Sequence, residues 1–250
     1  MKKSAVLSIL IVMIFLSKSL FAQDSEVKLF HFGLKAAPVV SWFVPDNKKF
    51  SNAGSQLGFG YGLITEFGFS KNYAFSTGLD ILNSGGRLNF PQPPDSTFYD
   101  VLNESSNVTE KFLLHKRTYR LRYVNVPLHL KLKTNQIGSM TYFGEFGFDV
   151  SILWRARSDD DGSFLGSSPT TRQDVDLSGD ANFLRLALNV GLGTEYNLSG
   201  STSLVISINY DNGFTNALRT NSKTLYDRND NKLVQKAMFN YVGLSVGVLF

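Results

Sequence analysis

The stretch Phe239–Phe250, "FNYVGLSVGVLF", decides how the rest of the chain is read. Taken at every second residue, Val242, Leu244, Val246, Val248 and Phe250 share one side, and Gly243, Ser245, Gly247 and Leu249 share the other. A period of two marks a β-strand with two unlike faces. One face is uniformly apolar and the other mostly small. A solvated strand with such a face and a free edge would seed aggregation, so the edge is expected to be paired and the apolar face covered.

The same alternation recurs upstream and predicts seven more strands. The first, Phe30–Trp42, sets Phe30, Phe32, Leu34, Ala36, Pro38, Val40 and Trp42 against His31, Gly33, Lys35, Ala37 and Ser41. The second, Leu57–Phe69, sets Leu57, Phe59, Tyr61, Leu63, Phe67 and Phe69 against glycines and Glu66, and the third runs from Tyr73 to about Asn83 with Asp80 on its polar side. The fourth, Tyr119–Lys133, changes phase: Leu121 and Tyr123 start the apolar face, and Val126, Leu128, Leu130 and Leu132 continue it. That shift predicts a β-bulge near Tyr123–Val124, with Pro127 beside it. The fifth, Thr141–Arg155, places Glu145, Asp149, Ser151 and Arg155 opposite Phe146, Phe148, Ile152 and Trp154. The sixth, Phe183–Leu198, places Arg185 and Glu195 opposite leucines, and the seventh, Thr202–Phe214, carries Asp211 on its polar side.

The connections alternate in length. Short links, "SKN" at 70–72, "TNQIGS" at 134–139 and "SGS" at 199–201, alternate with long ones over 43–56, about 84–118, 156–182 and 216–238. An antiparallel up-and-down meander gives this pattern when one end is confined and the other free to elaborate, as in transmembrane barrels with short periplasmic turns. The glycine-rich polar side suits a crowded interior, whereas a water-soluble calyx would turn its apolar side inward. Tyr73, Tyr142, Tyr196 and Phe69 lie near the short-turn end, and Trp42 and Trp154 near the long-loop end. Two such aromatic girdles are expected where a lipid-facing band meets headgroups. The predicted fold is therefore all-β: an eight-stranded antiparallel up-and-down transmembrane β-barrel. In a closed barrel the last strand pairs with the first, which resolves the edge left open by Phe239–Phe250.

Composition agrees. The chain has 250 residues, 43% hydrophobic, with 21 glycines and no cysteine, so disulfides, thiolate metal sites and cysteine lipidation are excluded. Its opening, "MKKSAVLSILIVMIFLSKSLFAQ", has Lys2 and Lys3, an apolar run over Ala5–Leu16 and a small residue at Ala22. This is the layout of a signal peptide, 1–22, cleaved after Ala22 to leave a barrel domain over 23–250. The run is short for a spanning helix and Lys18 interrupts its end. Taking its three lysines from the 25 basic residues leaves 22 against 21 acids, about +1, so charge gives no argument for nucleic acid.

The segment "RYVNVPLHLKLK", Arg122–Lys133, together with the signal peptide and the eight-strand plan, resembles the small outer-membrane β-barrel family of Bacteroidetes, the PorT-like group. Members carry an aromatic, a short apolar run and Pro-Leu at this strand, as Tyr123, Val124, Val126, Pro127 and Leu128 do. The resemblance implies the bacterial outer membrane and, for some relatives, a part in protein secretion. A final strand ending in Phe250 also resembles the signal read by the barrel assembly machinery.

An eight-stranded barrel is about wide enough for its own side chains, so a lumen charge network is expected among Lys35, Glu66, Asp80, Glu145, Asp149, Arg185, Glu195 and Asp211. The alternative is a narrow porin-like channel. A lipid-modifying enzyme would need a histidine with a partner near the outer leaflet; His31, His115 and His129 show no spacing to Ser41 or Ser151 that supplies one. "GFGYG" at 58–62 lacks dinucleotide spacing, and "DRNDN" at 227–231 fails as a calcium loop because Lys232 and Met238 replace the needed glycine and acid. "SDDDG", Ser158–Gly162, reads as a solvated acidic loop tip. Lys116, Arg117, Arg120 and Arg122, with Lys48 and Lys49, are the candidates for a lipopolysaccharide contact at the outer rim. No catalytic residue, cofactor or metal is expected. The expected partners are outer-membrane lipid and lipopolysaccharide, the assembly machinery, and a protein held by the long loops.

Overall fold

The computed structural model describes residues 30–46, 50–90, 99–101, 111–164, 167–226 and 231–250. The segment 1–22, its cleavage point, and Lys48 and Lys49 lie outside the described residues. The thirteen strands among them are β1 (Phe30–Pro45), β2 (Ser51–Gly54), β3 (Gln56–Ser70), β4 (Tyr73–Asn89), β5 (Tyr99–Val101), β6 (Lys111–Lys133), β7 (Met140–Phe164), β8 (Pro169–Asp176), β9 (Leu184–Ser199), β10 (Thr202–Asn216), β11 (Asn221–Tyr226), β12 (Lys232–Val234) and β13 (Ala237–Leu249).

Eight of them close a ring in the order β1–β3–β4–β6–β7–β9–β10–β13, and β13 returns to β1 with Gly33 opposite Leu249 and Val40 opposite Val242. Every pairing is antiparallel, so each strand of the ring has a ladder neighbour on both sides and no free edge. The remaining strands extend the long-connection end: β2 pairs with β4, β5 with β6 and β11, β11 with β12, and β8 with β7.

The wall wears its apolar residues outside. Leu57 is 81% exposed, Leu192 66% and Trp154 62%, within a continuous band that includes Phe32, Phe67, Phe146, Ile208 and Leu244. Aromatics bound the band at both ends, with Phe30, Phe69, Tyr73, Tyr142, Tyr196 and Phe250 toward the short turns and Trp154, Phe183 and Phe214 toward the extension.

Beyond the band the polarity of the wall inverts. Phe43, Tyr119, Tyr123, Phe239 and Leu121 are buried inside the ring and continue into a core with Leu88, Phe112, Leu114 and Leu233. Each buried side chain of this size contributes ~1.5–3 kcal/mol relative to exposure, so the extension carries its own stabilising core.

Four expectations are corrected here. Leu121 and Tyr123 do not start an outward face; from Arg117 to the end of the strand β6 keeps one parity, with Leu121, Tyr123, Asn125 and His129 all buried. No bulge interrupts β6 near Tyr123–Val124, since its register with β4 is unbroken from Tyr73↔Leu132 to Asn89↔Lys116. The irregularity is on the partner strand: Arg122 faces Arg155 and Tyr123 faces Leu153, leaving Trp154 as the extra residue of β7. The bulge turns Arg155 outward, against the expectation that it shares the inner face with Ser151. Finally, much of 84–118 and 156–182 is strand rather than loop, because β4, β6 and β7 run past the band.

Candidate functional site

The lumen is filled in tiers. Nearest the short turns, Lys131 bonds Glu66 and lies 2.6 Å from Glu195, while Lys133 lies 2.7 Å from Glu66 and 2.8 Å from Glu195. Two cations alternate with two anions, and the Lys131 ammonium sits 3.8 Å above the Phe143 ring. One tier up, Lys35 pairs with Asp80 at 2.8 Å, and His129 Nε2 lies 3.0 Å from Asp149. Asn189 donates to Asp149 and Asn209 to Glu145. Above these, Arg185 pairs with Asp211 and donates to the Phe239 carbonyl at 2.8 Å.

Glycine makes the room. A Cβ on Gly191 would fall 2.9 Å from Glu145 Cγ, and one on Gly213 would fall 3.3 Å from Arg185 Nε. The space left is a cavity of about 80 Å³ bordered by Lys35, Asp80, His129, Glu145, Asp149 and Tyr241. All eight charged residues expected in the lumen are on its inner wall. Lys131 and Lys133 were missed, although they follow the odd-numbered parity of His129 on the same strand.

The serine hydroxyls are occupied elsewhere: Ser41 donates to the Gly85 carbonyl at 2.6 Å, and Ser151 donates to Asn125 at 2.8 Å. Neither is directed at a histidine.

The extension holds a second, separate charge cluster. Arg117 makes two 2.7 Å bonds to Asp160 with both side chains fully buried, and Arg172 adds a third at 2.9 Å. Arg117 is therefore an interior residue and cannot meet lipid, a correction to its place in the outer rim. Asp160 is likewise a strand residue with its own counter-ions, not a solvated loop tip. Burial alone would lift its carboxyl, but Arg117, Ser158 and Arg172 outweigh burial and hold it below the ordinary carboxylate range.

Outside, at the level of Trp154, four guanidinium groups gather. Arg122 stands directly across from Arg155, and Arg120 across from Arg157. They line a groove of about 460 Å³ with Leu57, Phe59 and Asp174. Lys116 lies further along β6, facing Asp161 across the ladder.

The family model for the outer membrane protein beta-barrel domain matches residues 21–219. The chain belongs to that family. The match stops short of β13, which the pairing with β1 places in the ring. Among solved structures, Neisserial surface protein A is 14% identical over 88% of this chain and 95% of its own, with a TM-score of 0.42. OprG from Pseudomonas aeruginosa is 12% identical over 88% of this chain and 95% of its own, at 0.44. The outer membrane protease OmpT from Escherichia coli is 8% identical over 92% and 99%, at 0.34. At such identities no function transfers. No curated protein matches the chain.

This barrel therefore resides in the bacterial outer membrane, with its apolar band in lipid. Short turns of such barrels face the periplasm, which puts the β2–β5–β8–β11–β12 end outside the cell.

Proposed function

We propose that this outer-membrane barrel is a sealed, non-enzymatic protein that works through its outer extension, as a structural element or as a binding surface for another protein. The observation that carries the reading is the close-packed, largely apolar column of Phe43, Tyr119, Leu121, Tyr123 and Phe239 inside the outer half of the ring. An ion passing through would exchange its hydration shell for aromatic and aliphatic walls with only the Tyr119 and Tyr123 hydroxyls to meet it. Below it, an ion would have to displace charges that already hold partners, which costs several kcal/mol per stranded group. The occupied serines support the absence of catalysis.

The PorT-like grouping and a secretion-associated role rest on the segment Arg122–Lys133 and would make the extension a docking face for a second component. Phe250, lipid-facing with its ring tilted against that of Phe32 at 5.7 Å, is the residue we assign to recognition by the assembly machinery. The narrow channel has one observation in its favour, the cavity of about 80 Å³ among the lumen charges, which is large enough for water.

The test is conductance. Purified wild-type protein in a planar bilayer at neutral pH is expected to show no steady current. Reproducible single-channel steps, abolished by changes at Glu66 or Glu145, would replace this reading with the channel.

A further inference from the structure

We infer that the groove beside Trp154 binds the phosphate of an outer-leaflet lipid, whose acyl chains run down the wall over Leu57 and Phe59. The inference rests on the membrane placement argued above and names one partner for that outer surface.

The first ground is the arrangement of like charges. Arg122–Arg155 and Arg120–Arg157 are directly opposed cross-strand pairs, next to each other on the same outward face. Like charges in that position destabilise a sheet. Four guanidinium groups converging on one groove suit a ligand with several anionic oxygens, and arginine's planar fork matches phosphate in two-point contact.

The second ground is Asp174. It is the one non-glycine residue at positive φ, 55°, among the described residues. Its carboxylate stands 3.3 Å from Arg120 and 3.6 Å from Arg155, and its carbonyl accepts from Arg157 at 3.3 Å. A strained backbone thus presents an internal anion to the centre of the cluster, as a partial counter-ion. Asp159, 2.9 Å from Arg120, and Asp176, 3.9 Å from Arg157, bring the acids to three against four guanidinium groups. The charge left over is at Arg122, whose partners among the described residues are Asn83, at 2.6 Å, and the Trp154 ring, at 6.0 Å. Arg157 Nε is buried with no hydrogen-bond partner among the described residues.

The third ground is position. The groove's lower wall is Leu57 and Phe59, part of the lipid-facing band, and Trp154 marks the interface. Cations directly above apolar wall match an amphiphile. A free anion would have no use for the lower half.

The test uses the full mature barrel in detergent micelles, with native mass spectrometry reading the bound lipid. The probes are bisphosphorylated lipid A, the same lipid after dephosphorylation, and inorganic phosphate alone. The wild type is expected to retain the phosphorylated lipid only. Arg122→Gln with Arg155→Gln should weaken retention about tenfold or more. Asp174→Asn should strengthen it, because asparagine tolerates the same backbone and removes the competing carboxylate. Lys71→Gln, at the periplasmic turn, should leave it unchanged. Equal retention of both lipids, or no loss in the double variant, would overturn the inference. So would displacement of the lipid by millimolar inorganic phosphate, which would mark a free-anion site. Heat-modifiable migration checks the fold of each variant; its absence in the wild type would overturn the barrel reading itself.

Discussion

Replacing Arg185 by leucine isolates what the lumen charges contribute. Both Arg185 and Asp211 have no exposed side-chain surface. Without Arg185, Asp211 becomes a buried carboxylate with no cation beside it, and the Phe239 carbonyl loses its 2.8 Å donor. Removing one partner of a buried ion pair costs ~3–5 kcal/mol, most of it the penalty of the charge left behind. Leucine recovers only part of the contact that the guanidinium makes over the Phe239 ring, 4.9 Å away. The single variant is therefore expected to lose about 3–5 kcal/mol, while Arg185→Leu with Asp211→Leu, which leaves no stranded charge, should return to within about 1–2 kcal/mol of the wild type. Urea unfolding in lipid vesicles measures both, followed by the fluorescence of Trp42 and Trp154. A single variant within 1 kcal/mol of the wild type would mean that Arg185 does not hold Asp211 (about the size of an exposed pair). A double variant as weak as the single would assign the loss to packing instead.

Acid should loosen the extension before the wall. The Asp160 carboxyl titrates below its ordinary value near ~4 in the folded chain, so its contribution is complete above that value and is lost as pH falls through the folded one. Limited proteolysis of β7 and β8 between neutral and strongly acid pH should show cleavage rising in that window, and Asp160→Asn should be cleaved at neutral pH and lose the dependence. Phe250→Asp is expected to lower the amount of heat-modifiable barrel in the outer membrane much more than it lowers the stability of barrel that does form. A charge near the interface costs only ~0–1 kcal/mol. Undiminished assembly would remove Phe250 from the signal.

The lipid-facing wall was legible in the sequence because a bilayer admits one solution: apolar residues out, every backbone group paired. Alternation in Phe183–Leu198 or Phe239–Phe250 reports that directly. Past the band the same alternation changes meaning, since water now lies outside and a core inside. Leu121 and Tyr123 therefore looked like the start of an outward face displaced by a bulge, when they are the inner face of an unbroken strand. Carrying the parity of Leu128 and Leu130 backward would have separated Arg117, inside, from Arg120 and Arg122, outside. It would also have placed Lys131 and Lys133 in the lumen. Arg155 and Arg157 were out of reach, because the extra residue at Trp154 leaves no mark in the sequence and only the register with β6 reveals it.

The pairing of β1 with β13 also sets an order of events. Gly33 and Leu249 lie at opposite extremes of the described chain, yet they are neighbours in the finished wall. Until the final strand arrives, every intermediate of this meander is an open sheet with two raw edges and an unshielded apolar face. Contacts so distant in sequence form slowly, and such intermediates aggregate. The chain therefore has to cross the periplasm as an escorted, unclosed polymer. Its rate of appearance in the membrane should follow the supply of escorts rather than the rate of its synthesis.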